Sequence, residues 1–124
     1  MSLELTEKDF ESTVKEGIVL IDFWAEWCGP CKAFAPTFAA ASFKHPDIKF
    51  RKVNTEKETG LAAAFQIRSI PTLMVFRDNI LLAQQAGAMS EEQFETFIEK
   101  IKEIDMDEVR AEIKKQESAS ASDA

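Results

Sequence analysis

The segment Ile18–Ala25, IVLIDFWA, constrains this chain more than any other. It is short, rich in β-branched residues, and apolar along its whole length except at Asp22. Such a run leaves no face for water. It reads as a strand buried on both sides in a parallel or mixed sheet, and that requires covering elements above and below. A helical pattern follows almost at once. From Gly29 to about Lys44, Phe34, Phe38, Ala40 and Ala41 recur at helical spacing, with Pro36 as an expected kink. Both cysteines, Cys28 and Cys31, stand where strand gives way to helix.

The rest of the chain supplies the covering elements. Thr6 is a candidate N-cap with Asp9 in an acidic first turn, and Phe10 and Val14 define one face of a short helix ending near Gly17. IKFRKVN alternates and reads as a strand; EKETGLAAAF reads as a short helix. PTLMVF is a second buried strand, opened by Pro71, and ILLAQQA is its antiparallel partner across the turn RDN. Asn79 or Asp78 takes the left-handed conformation that turn needs. Ser90 and Gln93 form a capping box ahead of a stripe of Phe94, Phe97, Ile98 and Ile101. Asp105 caps a weaker helix carrying Met106, Val109 and Ile113, and the polar QESASASDA reads as a disordered tail. Helices and strands alternate and then end in a hairpin. The fold class is α/β, with a central mixed sheet of four to five strands flanked by helices on both faces.

A chain of 124 residues suits one domain with a core that needs no staple. Its net charge of −7 excludes general nucleic-acid binding, which needs clustered Lys and Arg; Lys49, Arg51 and Lys52 are too small a patch. No apolar run approaches the ~20 residues of a spanning helix, and MSLELTEKDF lacks an apolar signal core. The expectation is a cytoplasmic protein with no membrane role. Cysteine pairs in that compartment are catalytic or redox-sensing rather than structural.

Four readings of Cys28-Gly-Pro-Cys31 compete. A zinc site needs four ligands, and two Cys with one His, His45, do not supply them, so no metal is expected. A staple closing so small a loop gains little chain entropy. Inert core cysteines are common, but the strand-to-helix context argues otherwise. Cys28 falls at the N-cap, where free amide donors and the positive end of the helix dipole favour thiolate over a thiol that ordinarily titrates near ~8.5. Pro30 fits the first turn, Gly29 leaves the sulfur approachable, and Cys31 lies on the same side of that turn, close enough to form a disulfide. Cys28 reads as a nucleophile and Cys31 as its resolving partner.

Asp22 shares a strand face with Leu20 and Trp24. It is either an exposed edge residue or a buried carboxyl with raised proton affinity that takes the proton from Cys31. Lys52 shares a face with Ile48 and Phe50, and taken alone it reads as a surface lysine.

These residues resemble the thioredoxin family: WCGPC after DFWAE, then Pro36, SIPT and AGA at matching intervals, over roughly Leu3 to Ile104. The resemblance implies a thioredoxin fold in residues 1–104; beyond it, composition reads 105–116 as an extra acidic helix, either an appendage or a docking helix for a partner, and 117–124 as a disordered tail. The resemblance also implies a monomeric protein-disulfide reductase with no bound cofactor, fed from NADPH by a thioredoxin reductase and acting on disulfide-containing client proteins. On this view Cys28 and Cys31 match the redox pair, Asp22 the buried aspartate, Lys52 the lysine beside it, and Pro71 a cis-proline facing the dithiol. Trp27, Gly29, Pro30, Ile70, Gly87 and Ala88 match the rim that receives a substrate chain. The Gly-Pro dipeptide resembles that of reductants, since oxidants and isomerases of the family carry His in place of the proline. Two rivals stay open: a non-catalytic partner-binding protein switched by redox state, and an oxidant or isomerase. The hairpin RDNIL departs from the family in lacking its usual glycine.

Overall fold

The computed structural model describes residues 2–122, and the side chains of 3–119. By contact density the chain divides into two compact units, Met1–Phe94 and Glu95–Ala124.

The first unit is built on a five-stranded sheet. β1 (Ser2–Glu4), α1 (Phe10–Val14), β2 (Ile18–Trp24), α2 (Gly29–Lys44), β3 (Ile48–Asn54), α3 (Thr59–Ala64), β4 (Thr72–Arg77) and β5 (Ile80–Ala86) follow in sequence. The spatial order is β1-β3-β2-β4-β5. β3 runs parallel to both β1 and β2, whereas β4 is antiparallel to β2 and β5. β2 therefore has a neighbour on each edge, and its interior residues Val19–Phe23 are all buried, as its apolar run required.

Alternation along β2 sends its side chains into two cores. Val19, Ile21 and Phe23 pack with Val14 of α1, Leu61 of α3, Val53, Met74 and Phe76, with Phe10 and Phe65 against them. Leu20, Asp22 and Trp24 point the other way. The ring cluster of Phe34 and Phe38 from α2 with Phe50 from β3 and Phe94 forms a second core, its centroids 5.2–6.4 Å apart. The mixed sheet is thus flanked by helices.

Two local features differ from expectation, and a third follows it. β1 carries no sequence signal: three residues on a sheet edge are too few for alternation, and Leu3 stays exposed. α1 begins at Phe10, with Asp9 as N-cap, because the Thr6 hydroxyl donates to the Asp9 carboxylate (3.0 Å) and residues 7–9 form a turn. The β4–β5 turn needs no glycine, since Asp78 (φ 50°) and Asn79 (φ 71°) both adopt the left-handed conformation; Asx side chains tolerate it best.

α4 (Glu91–Glu103) opens on the capping box: Gln93 N–H donates to Ser90 Oγ (3.1 Å), and Ser90 N–H donates to Gln93 Oε1 (3.0 Å). The second unit holds the rest of α4, with Ile98 and Ile101 buried, and α5 (Met106–Ser122). Asp105 Oδ1 accepts from Asp107 N–H at 2.9 Å, as a cap should. The segment expected as a tail from 117 is helical through Ser122, because no Gly or Pro follows Asp105 to stop propagation. Residues 123 and 124 of that segment lie outside the described residues. Asp105→Ala is expected to weaken α5 by about 1 kcal/mol, seen as earlier loss of far-UV helical signal on warming. No helix among the described residues is long and apolar enough to cross a membrane.

Candidate active site

β2 ends at Trp24 and α2 begins at Gly29, so the connection is four residues long and places Cys28 at the N-cap. Cys28 has an extended backbone (φ −87°, ψ 109°), and its Sγ accepts from the N–H of Cys31 at 3.2 Å. Pro30 occupies the first turn, where a missing N–H leaves nothing unsatisfied. Cys28 and Cys31 are joined as a disulfide with Cα atoms 5.3 Å apart. Both are nearly buried, packed against Ala25 with Trp24 and Ile70 alongside. Gly29 and Pro30 beside them are exposed. A thiolate at Cys28 would keep the Cys31 amide donor and sit at the positive end of a 16-residue helix, so the fold favours the nucleophilic form.

The loop before β4 closes over this pair. The Ile70–Pro71 bond is cis, and the Ile70 carbonyl oxygen lies 3.7 Å from Cys28 Sγ. Gly87, with φ +100°, donates its N–H to the Pro71 carbonyl at 2.8 Å, which ties the end of β5 to the same loop. Ala88 beside it is exposed. Trp27 is 70% exposed, yet its indole N–H donates to Glu56 Oε1 at 2.6 Å. A shallow cleft of about 170 Å³ separates Trp27 from Arg68, Ser69 and Ile70. Of the rim residues singled out in the sequence, Ile70 lies against the dithiol, Gly87 is tied to the adjoining Pro71, and Trp27 lines one cleft with Ile70.

Asp22 is buried, which overturns its reading as an exposed edge residue. Neither carboxylate oxygen has a protein hydrogen-bond partner among the described residues. Burial without partners disfavours the charge and pushes the carboxyl up to about 7; Lys52 opposes that shift and Glu4 adds to it. Lys52 is the β-partner of Asp22 across β2 and β3, half-buried, with its Nζ 4.5 Å from the centroid of the Trp24 ring. It is thus more than a surface lysine. Among the described residues no group of three or more His, Cys, Asp and Glu side chains is placed to hold a metal.

Sequence reading missed Glu56, which holds Trp27, and Asn54, whose Oδ1 accepts from the N–H groups of Glu56 and Lys57 and shapes the loop carrying Glu56. Trp27 and Glu56 are 29 residues apart, and no local pattern joins them.

A family model described as Thioredoxin matches residues 1–100. Among curated relatives, the Streptomyces coelicolor protein named "Putative thioredoxin 2" is 46% identical over 118 residues, covering 94% of this chain and 88% of its own. Thioredoxin C-3 of Corynebacterium nephridii is 44% identical over 89 residues, 70% of this chain and 61% of its own. Thioredoxin of Buchnera aphidicola is 41% identical over 100 residues, 78% of this chain and 93% of its own.

Proposed function

The chain belongs to the thioredoxin family and is a thiol–disulfide oxidoreductase working through Cys28 and Cys31, and from that premise we propose that it is a general cytoplasmic reductant of protein disulfides. The observation that carries this reading is the Cys28 N-cap, whose sulfur accepts the Cys31 amide beside the exposed Trp27.

The reduced pair begins the cycle. Cys28 thiolate attacks one sulfur of the client disulfide; a Cys28–client bond forms, and the other client sulfur leaves as thiolate and is protonated. Cys31 gives its proton to the Asp22 carboxylate and attacks Cys28 Sγ. The Cys28–client bond breaks, the second client thiol is released, and the domain keeps the Cys28–Cys31 disulfide. Two electrons have passed to the client. A thioredoxin reductase drawing on NADPH returns them. A carboxyl titrating near neutrality suits Asp22 to this transfer, because it both accepts and loses a proton at working pH. Lys52 helps set that proton affinity. The client lies extended over Trp27, Gly29 and Pro30, pairing in β fashion with backbone at Ile70 before Pro71, with Gly87 and Ala88 as the far wall. Residues 1–104 form the working domain, which acts as a monomer, and residues 105 onward are an appendage to it.

Equilibration of the Cys28–Cys31 couple against a dithiol buffer tests this reading. The expected potential lies at or below the cytosolic glutathione poise, roughly −220 to −320 mV by method. A clearly higher value would assign an oxidant or isomerase instead.

A further inference from the structure

Three titratable residues stand side by side across three neighbouring strands. Glu4 on β1 is the register partner of Lys52 on β3, and Lys52 is the register partner of Asp22 on β2. Register partners in parallel strands project to the same face, so the row reads carboxyl, ammonium, carboxyl. Its two ends differ sharply: Asp22 is buried and Glu4 is exposed. Trp24 sits against the middle of the row. Its ring carries the Lys52 ammonium, and its indole N–H, which makes no full hydrogen bond, lies near enough to the Glu4 carboxylate to stabilise its charge. A cavity of about 420 Å³, lined by Glu4, Trp24, Glu26, Asn54, Lys57 and Glu58, opens on this end of the row.

We propose that Glu4 is a positioning residue for the resolving step: it competes with Asp22 for the single Lys52 ammonium, and so sets how readily the buried carboxylate takes the Cys31 proton. This rests on the reading of Asp22 as the base. Nothing in the reaction touches Glu4; its charge acts on Asp22 directly along the row and by offsetting that of Lys52. Burial alone raises the proton affinity of Asp22 and Lys52 opposes it; without Glu4 that opposition would be stronger and Asp22 would hold its proton less tightly. Sharing that lysine with a second, solvent-reaching carboxylate keeps Asp22 basic enough to work. The other charged groups around the row are Lys57 and Glu58, which act on Glu4 in opposite senses, and Glu26 on the cavity wall. None of them lies in the strand row. Glu4 itself is held above its ordinary value by partial desolvation, against the pull of Trp24, Lys52 and Lys57.

Two strand spacings separate the ends of the row, on the order of 10 Å. At that distance the charge of Glu4 is expected to move the Asp22 titration by roughly 0.3–1 pH unit, depending on effective dielectric. The test uses the full chain as the mixed disulfide of Cys28 with a chromogenic arylthiol, whose release reports attack by Cys31. In parallel, the Asp22 carboxyl of the oxidised protein is titrated by carbon NMR. Glu4→Gln is expected to move both midpoints to lower pH by that amount, and Glu4→Lys further in the same direction. A pair of variants that fold normally and leave the NMR midpoint of Asp22 in place overturns the proposal. Asp22→Asn separates it from its premise. If that variant keeps the wild-type pH profile of arylthiol release, the base reading fails and the inference falls with it. If it removes the inflection while the Glu4 variants do not shift it, the base reading stands and the role of Glu4 alone is lost.

Discussion

Cys28→Ser is expected to abolish disulfide reduction, leaving only background, whereas Cys31→Ser is expected to react once and stop. The two thiols differ in what the fold does for them. Cys28 is the N-cap residue, with an amide donor at 3.2 Å and the positive end of α2 behind it. A serine hydroxyl there is held in the same place but remains a poor nucleophile toward sulfur at neutral pH. Cys31 contributes only to the second step, so its loss leaves a client bound through Cys28. Mass spectrometry of Cys31→Ser incubated with a disulfide peptide should show one equivalent of adduct that external thiol removes. Equal, full activity in both variants would remove the basis for assigning distinct roles. The Cys28/Cys31 double serine variant addresses the rival reading, since a cellular function it still supports would be one of binding.

The second large effect concerns stability. Asp22 has an ordinary value of 3.8 and a folded value of about 7. The folded state therefore binds a proton that the unfolded state has lost, over the window between those values. Its stabilising contribution is fully present below pH 3.8, falls as pH rises through the window, and levels off above 7. A difference of about three pH units corresponds to at most ~4 kcal/mol. Asp22→Asn, a neutral side chain of the same shape, is expected to be more stable than the parent by up to about 4 kcal/mol at pH 8, by about 1–2 kcal/mol at pH 5, and by little below pH 4. Urea unfolding of the oxidised proteins across that range measures it. A gain independent of pH would contradict the buried-charge account. Asp22 thus weakens the fold wherever the unfolded chain carries it ionised, which is the pattern expected of a residue kept for chemistry.

The sheet and the dithiol were legible because their signals are local. The β-branched run of β2, the alternation of β3 and the Gly-Pro pair inside the cysteine motif each lie within a single element. The Asp78–Asn79 turn was legible for the same reason. β1 was not, since its pairing with β3 holds it in place while its own three residues have no preference to show. Thr6 misled because a side chain that can cap a helix can equally donate to a neighbouring carboxylate, and here it bonds Asp9. Around the site, burial of Asp22 followed one of two readings that periodicity left open, while the cis bond at Pro71 came from the family resemblance alone. Glu56 reaches Trp27 across 29 residues and Glu4 meets Lys52 only through strand pairing, so only the assembled sheet and loops bring them to the residues they serve; Asn54 bonds its near neighbours Glu56 and Lys57.

The central place of β2 has a consequence for how accurately this protein keeps its own thiols in order. Amides of a strand paired on both edges exchange with solvent only when the whole domain opens, whereas the edge strands β1 and β5 open more cheaply. The dithiol follows shortly after the end of one such doubly paired strand. Partial openings at the sheet edges therefore leave Cys28 seated at its cap. Mispairing of its sulfur with a stray thiol through loss of that seat is confined to globally unfolded molecules, which for an ordinary domain are roughly one in 10³ or fewer. The same strand that presents the nucleophile to clients also guards it against its own chain's fluctuations.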